Sequence, residues 1–180
     1  MRFYCLFGVV LALLGCLFGC SSTARALKSD QARSPVHSFI REDGSMMYFI
    51  KDLEFKNELG HKLVLDVTVY TSDSLCNEAR LLASLICPMD VPLDDLNLTV
   101  DGKNTYAGDR MFRKPTRNGK LEHRYEFQVQ TPWVDALFRN APCVIHAAGS
   151  NWSLTKAGSR AVLSAQLLVM PEWQDRCLNR

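Results

Sequence analysis

The 180-residue sequence lacks most of the features that announce an activity, and each absence removes a class of function. Charge of one sign is not in excess: 21 Lys and Arg stand against 19 Asp and Glu, a formal +2. A nucleic-acid binder held by general electrostatics needs a far larger surplus, so nucleic acid is not an expected partner. No GxSxG, HExxH, Walker loop or GxGxxG occurs, and no Cys/His spacing commits to nucleophilic catalysis. There is no CxxC, and Cys143-x-x-His146 on a strand would send its side chains to opposite faces, so no metal site is expected. Asp90, Asp94, Asp95 and Asp101 form an acidic stretch without EF-hand spacing, which reads as solvated turns. Internal repeats are absent, and past residue 20 no run approaches the ~18 apolar residues of a membrane span. Neither cofactor nor catalytic set is expected. With 47% apolar and 22% charged residues, the chain is not wholly disordered, and its length suits one domain.

What is present begins at the N-terminus. Arg2 is followed by Phe3 to Cys20 without a single charge, and then by Ser21-Ser22-Thr23. A positive start, an apolar middle and small polar residues make an export signal. Its end, Leu17-Phe18-Gly19-Cys20, resembles a bacterial lipobox, in which an aliphatic residue at minus three and a small residue at minus one precede a cysteine. The resemblance implies that Cys20 is thioether-linked to diacylglycerol, becomes the new N-terminus and is N-acylated; the chemistry needs a thiol, because sulfur is the nucleophile. Phe18 departs from the commonest residue at minus two. Other endings stay open: Leu13-Leu14-Gly15-Cys16, release of a soluble protein after Ala24-Arg25-Ala26, or an uncleaved anchor helix. The resulting division is a signal peptide over 1–19, a lipidated tether over 20–37 and a folded domain over 38–180.

In that domain the dominant period is two. Leu63, Leu65, Val67 and Val69 alternate with Val64, Asp66, Thr68 and Tyr70, and Leu121, His123, Tyr125, Phe127 and Val129 alternate with charged or amide residues. Leu96, Leu98 and Val100 run into the turn pair Asp101-Gly102. Met46 to Phe55, Leu81 to Cys87, Cys143 to Ala147 and Ala161 to Met170 are further strand candidates, the last with Ala161, Leu163, Ala165, Leu167 and Val169 on one face. Helix is expected only at Trp133 to Arg139, after Pro132, and at Pro171 to Leu178. The expected fold is mainly β: a single antiparallel β-sandwich or open barrel of about seven strands with one or two short helices. His123, on an apolar face, reads as a hydrogen-bonded core histidine.

The seven cysteines divide. Cys5 and Cys16 belong to the signal and Cys20 to the lipid. Cys76, Cys87, Cys143 and Cys177 are disulfide candidates in an oxidising compartment, with Cys76–Cys87 and Cys143–Cys177 the favoured pairing and buried thiols the alternative for Cys87 and Cys143.

The sharpest feature of the domain is basic. Arg110, Arg113, Lys114, Arg117, Lys120 and Arg124 are opposed within their stretch only by Glu122. Asn118-Gly119 places a tight turn among them. Arginine forks suit phosphate or carboxylate groups, as on lipid headgroups, anionic glycan or an acidic partner. Together these features imply a non-enzymatic lipoprotein, anchored through lipid on the exported side of a bacterial cell membrane or outer membrane, that binds an envelope protein or anionic surface. The alternative is a soluble exported binding module or hydrolase released after Ala26. Asn97-Leu98-Thr99 and Asn151-Trp152-Ser153 also fit the glycosylation pattern of a eukaryotic secreted protein.

Overall fold

The computed structural model describes residues 34–72, 74, 76, 78–88, 96–106, 108–116, 118–139 and 143–177. The apolar N-terminal segment, Cys5, Cys16, Cys20, Asp90, Asp94, Asp95 and Arg117 lie outside them. Residues Pro35–Arg180 form one compact unit.

Among the described residues, ten strands build one sheet. They are β1 (Val36–Ile40), β2 (Met46–Lys56), β3 (Lys62–Tyr70), β4 (Glu78–Cys87), β5 (Asn97–Val100), β6 (Lys103–Tyr106), β7 (Asp109–Pro115), β8 (Leu121–Gln130), β9 (Val144–Ala147) and β10 (Ser150–Leu154). Helices α1 (Thr131–Arg139), α2 (Lys156–Leu168) and α3 (Met170–Cys177) complete the described elements. All pairings are antiparallel, in the order β6-β5-β9-β10-β2-β3-β4-β8-β7, with β1 beside the first half of β2. The sheet curls into a half-barrel, so the open barrel is the architecture adopted, with ten strands instead of seven. Val36 and His37, expected in the tether, are the first residues of β1.

The core forms because period-two alternation places one side of every long strand inside the curl. Leu63, Leu65, Val67 and Val69 of β3 are buried with Leu81, Ala83, Leu85 and Cys87 of β4 and with Tyr125, Phe127 and Val129 of β8. Trp133, Leu137 and Phe138 of α1, Ala161, Val162 and Ala165 of α2, and Trp173 of α3 complete the same cluster. In β2 the alternation is broken on purpose. The register shifts between Ile50 and Leu53, and both residues are buried although three positions apart. The bulge is pinned locally, with the Asp52 amide donating to Asp66 Oδ1 (3.1 Å) and the Lys51 amide to the Pro35 carbonyl (2.9 Å).

Two expectations are corrected. The segment Ala161 to Met170 is helix, not strand. Thr155 caps α2 by accepting from the Gly158 amide, and Gly158, Ala161, Val162 and Ala165 make the buried stripe at helical spacing. Leu163 and Leu167, read as inward strand residues, are 54% and 69% exposed. Small residues on the buried side let α2 lie close on β2: a Cβ at Gly158 would stand 2.2 Å from the Glu54 carbonyl oxygen.

The favoured disulfide pairing is also wrong. β4 puts ten extended residues between Cys76 and the end of Cys87's strand, roughly 30 Å of chain, whereas a bridge needs Cα atoms within about 7 Å. Cys76 instead bonds Cys177, their Cα atoms 5.1 Å apart, and ties the end of α3 to the entry of β4. Cys87 and Cys143 are buried thiols. Burial, and next the Asp101 carboxylate, push the Cys143 thiol up to about 11.

Candidate functional site

The described part of the basic stretch is a hairpin. β7 and β8 pair from Asp109↔Glu126 to Pro115↔Leu121, and the turn closes with the Thr116 amide on the Lys120 carbonyl (2.7 Å) and the Gly119 amide on the Thr116 carbonyl (3.2 Å). β7 ends the order of the sheet, so among the described residues its outer edge carries no strand.

Register then sorts the charges. Directly opposed residues share a face of the sheet. Phe112 and Lys114 stand opposite Arg124 and Glu122 on the outer face, while Arg110 and Arg113 stand opposite Tyr125 and His123 on the face that lines the core. Arg110 and Arg113 are three positions apart, an odd spacing that would send them to opposite faces in a regular strand. A register shift between Arg110 and Phe112 absorbs the extra residue and turns both arginines inward.

The outer face is compensated. Arg124 meets Asp66 of β3 at 2.9 Å, Lys114 meets Glu122 at 3.1 Å and lies 4.9 Å from the Phe112 ring, and Arg80 pairs with Glu126. The inner side of the edge is not. Arg110 and Arg113 are exposed and, with Lys120, form no ion pair among the described residues. Between them and the core lies His123, only 4% exposed, with neither ring nitrogen hydrogen-bonded. This corrects the expectation of a satisfied core histidine. Burial first, then the Arg113 and Arg110 guanidiniums, hold its pKa below the ordinary histidine value, so the ring is neutral at neutral pH.

The structure therefore brings Arg110 and Arg113 together on one face and adds His123 to them. It sets Lys114 and Arg124 apart on the other face with acidic partners, and it leaves Lys120 at the turn. The alternation of β8 marked His123 as inward, but nothing in the sequence of β7 marked the bulge that brings the arginines beside it.

Away from this edge, a cleft of about 560 Å³ opens where β6 runs beside the C-terminal half of β8. Lys103, Asn104, Thr105, Gln128 and Gln130 line it, and the indole of Trp133 stays in the core with its N–H toward the Leu98 carbonyl (3.4 Å). Amides, one hydroxyl and one amine offer hydrogen bonds there, and no carboxylate, histidine or cysteine lines it. Among the described residues no cluster of three His, Cys, Asp or Glu could hold a metal ion, and no helix is long and apolar enough to cross a membrane.

The chain matches no protein-family model, no characterised protein and no solved structure.

Proposed function

We propose that the protein is a lipid-tethered, non-enzymatic binding module, held through Cys20 on the exported side of a bacterial cell membrane or outer membrane, that presents the basic edge strand β7 to an anionic envelope surface or partner. The observation that carries the reading is the division of the basic cluster. Lys114 and Arg124 already have carboxylate partners, whereas Arg110 and Arg113 on the edge strand and Lys120 at the turn have none among the described residues. Uncompensated guanidiniums at an exposed edge suit a ligand that brings its own negative charge. The anchor rests on the uncharged Phe3 to Cys20 segment and its lipobox-like end. A Cys76–Cys177 bridge suits the oxidising compartment that export reaches. Two acyl chains on Cys20 give durable attachment where one gives only marginal binding.

Metabolic labelling with palmitate tests the anchor: label is expected on the wild type and lost in Cys20→Ser, and label retained by that variant overturns the assignment. A second variant tests the binding surface in the unlipidated Cys20→Ser protein, where the acyl chains do not mask it. With Arg110, Arg113, Lys114, Arg117, Lys120 and Arg124 all changed to Gln, binding to anionic vesicles and recovery of cross-linked envelope partners are expected to fall. Unchanged vesicle binding together with an unchanged set of partners rejects the basic-edge reading.

A further inference from the structure

We propose that Arg110, Arg113 and His123 form a binding site for a phosphate-class oxyanion on the core-side face of the β7–β8 edge. The proposal rests on the basic-edge reading and names its ligand chemistry and its residues.

The first observation is the bulge at Met111. By absorbing one residue it places two guanidiniums on one face of a single strand, opposite Tyr125 and His123. Side chains directly opposed across an antiparallel pair have Cβ atoms about 5 Å apart, so an ion between the arginine forks also lies within reach of the imidazole. The second observation is independent of charge. His123 is buried, yet neither ring nitrogen has a partner. A buried polar group without a hydrogen bond is costly, and most such groups in folded proteins are satisfied by a partner or a ligand. The third is the counter-charge. Glu122 and Glu126 of β8 sit on the opposite face, where Lys114 and Arg80 meet them. The neighbours of His123 on its own face are Leu121 and Tyr125 along β8, Leu85 across β4 and Arg113 across β7. None of these described neighbours carries a negative charge.

Two positive forks beside a neutral N–H donor match a dianion with several acceptor oxygens better than they match one carboxylate. The same charges could instead serve only to protect the edge, since inward-pointing charged residues on a terminal strand discourage strand addition. The two roles differ in one respect: edge protection needs no particular ion and leaves His123 indifferent to it.

The test uses the full-length protein in zwitterionic detergent. Inorganic phosphate is titrated at constant ionic strength against chloride while the His123 ring resonances are followed by NMR. A saturable His123 shift is expected with phosphate and not with chloride. Arg110→Gln and Arg113→Gln should each weaken phosphate about tenfold, the loss of one charge-assisted contact. Lys120→Gln, at the turn, should leave the affinity within about twofold. Both arginines are exposed, so their replacement spares the core. A second arm uses the unlipidated Cys20→Ser protein without detergent and replaces phosphate by vesicles of phosphatidylglycerol or phosphatidylcholine. Arginine-dependent binding to the anionic vesicles assigns the oxyanion to a lipid headgroup; dependence with inorganic phosphate alone assigns it to a soluble phosphate. The absence of a saturable His123 shift in both arms, or a shift that survives both arginine substitutions, overturns the site and leaves edge protection. If His123 is silent while the six-Gln variant still loses its partners, the site fails and the basic-edge reading stands. If both are unchanged, both fail.

Discussion

The Cys76–Cys177 bridge closes 101 residues of chain, and that separation sets the size of its effect. A crosslink stabilises mainly by removing conformations from the unfolded state, and for a loop near 100 residues the chain-entropy estimate is about 4.7 kcal/mol, with measured losses of 2–5 kcal/mol. The stability of a whole domain is only about 5–15 kcal/mol. The bridge is therefore a large fraction of the total, although α3 keeps other holds: Trp173 is fully buried, and the Tyr48 hydroxyl donates to Glu172. In the double variant Cys76→Ser, Cys177→Ser we expect a loss of roughly 3–4 kcal/mol. With a urea slope of about 2 kcal/mol per molar, that moves the unfolding midpoint by roughly 1.5–2 M. Trp133, Trp152 and Trp173 are all buried, so intrinsic fluorescence reports the transition. Reductant should lower the wild-type midpoint to that of the variant and should leave the variant unchanged. Cys143→Ala removes only a buried thiol; a loss of about 1 kcal/mol is expected, with the reductant effect intact. A wild type indifferent to reductant, or peptide maps joining Cys76 to Cys87, would refute the assigned connectivity and the placement of α3 that depends on it.

Other substitutions probe the remaining elements. Gly158→Ala, ordinarily favourable by about 1 kcal/mol within a helix, should instead destabilise by roughly 1–3 kcal/mol, because its Cβ would meet the Glu54 backbone and force α2 away from β2; a gain in the urea midpoint would show that the two are not in contact. Leu163→Gln with Leu167→Gln should change stability by no more than about 0.5 kcal/mol, as exposed helical positions do and inward strand positions do not. His123 has a folded pKa below its unfolded value, so the unfolded chain takes up the proton first. Stability is then complete above about pH 6.5 and declines as pH falls toward the folded value. In phosphate-free buffer His123→Leu should reduce that decline between pH 7.5 and 5, and an identical decline in both proteins would remove the unsatisfied imidazole as its source.

The long strands are legible because their alternation is a property of the chain itself. β3 and β8 follow their apolar residues to the observed bounds, and Asp101-Gly102 supplies the two positive φ angles that the β5–β6 hairpin needs. The β9–β10 hairpin uses the same conformation at Ala148-Gly149, where an alanine gives no turn signal. β7 is hidden for a different reason. Its Arg113-Lys114-Pro115 end has no strand propensity, and it is extended because β8 offers it a ladder. For α2 the alternation of Ala161, Leu163, Ala165, Leu167 and Val169 competes with a helical stripe of small residues, and the cap at Thr155 together with close approach to Glu54 decides for helix. Cysteine pairing was beyond reach altogether, since Cys76 and Cys177 meet only through the placement of α3.

The two bulges use one geometry for opposite ends. In β2 an extra residue lets Ile50 and Leu53 both enter the core, which serves packing. In β7 it lets Arg110 and Arg113 both turn toward the core side, where packing gains nothing and two positive charges are brought beside a histidine that lacks hydrogen bonds. Without the bulge only one of the two arginines could face the core side, and the other would stand outside next to the carboxylates of Asp66, Glu122 and Glu126. Counting charges along the chain also overstates the site, because Arg124 is compensated by Asp66 from a strand 58 residues away in sequence. The uncompensated charge is smaller than the sequence total and more local, and its position against His123 is the reason to look for an oxyanion there.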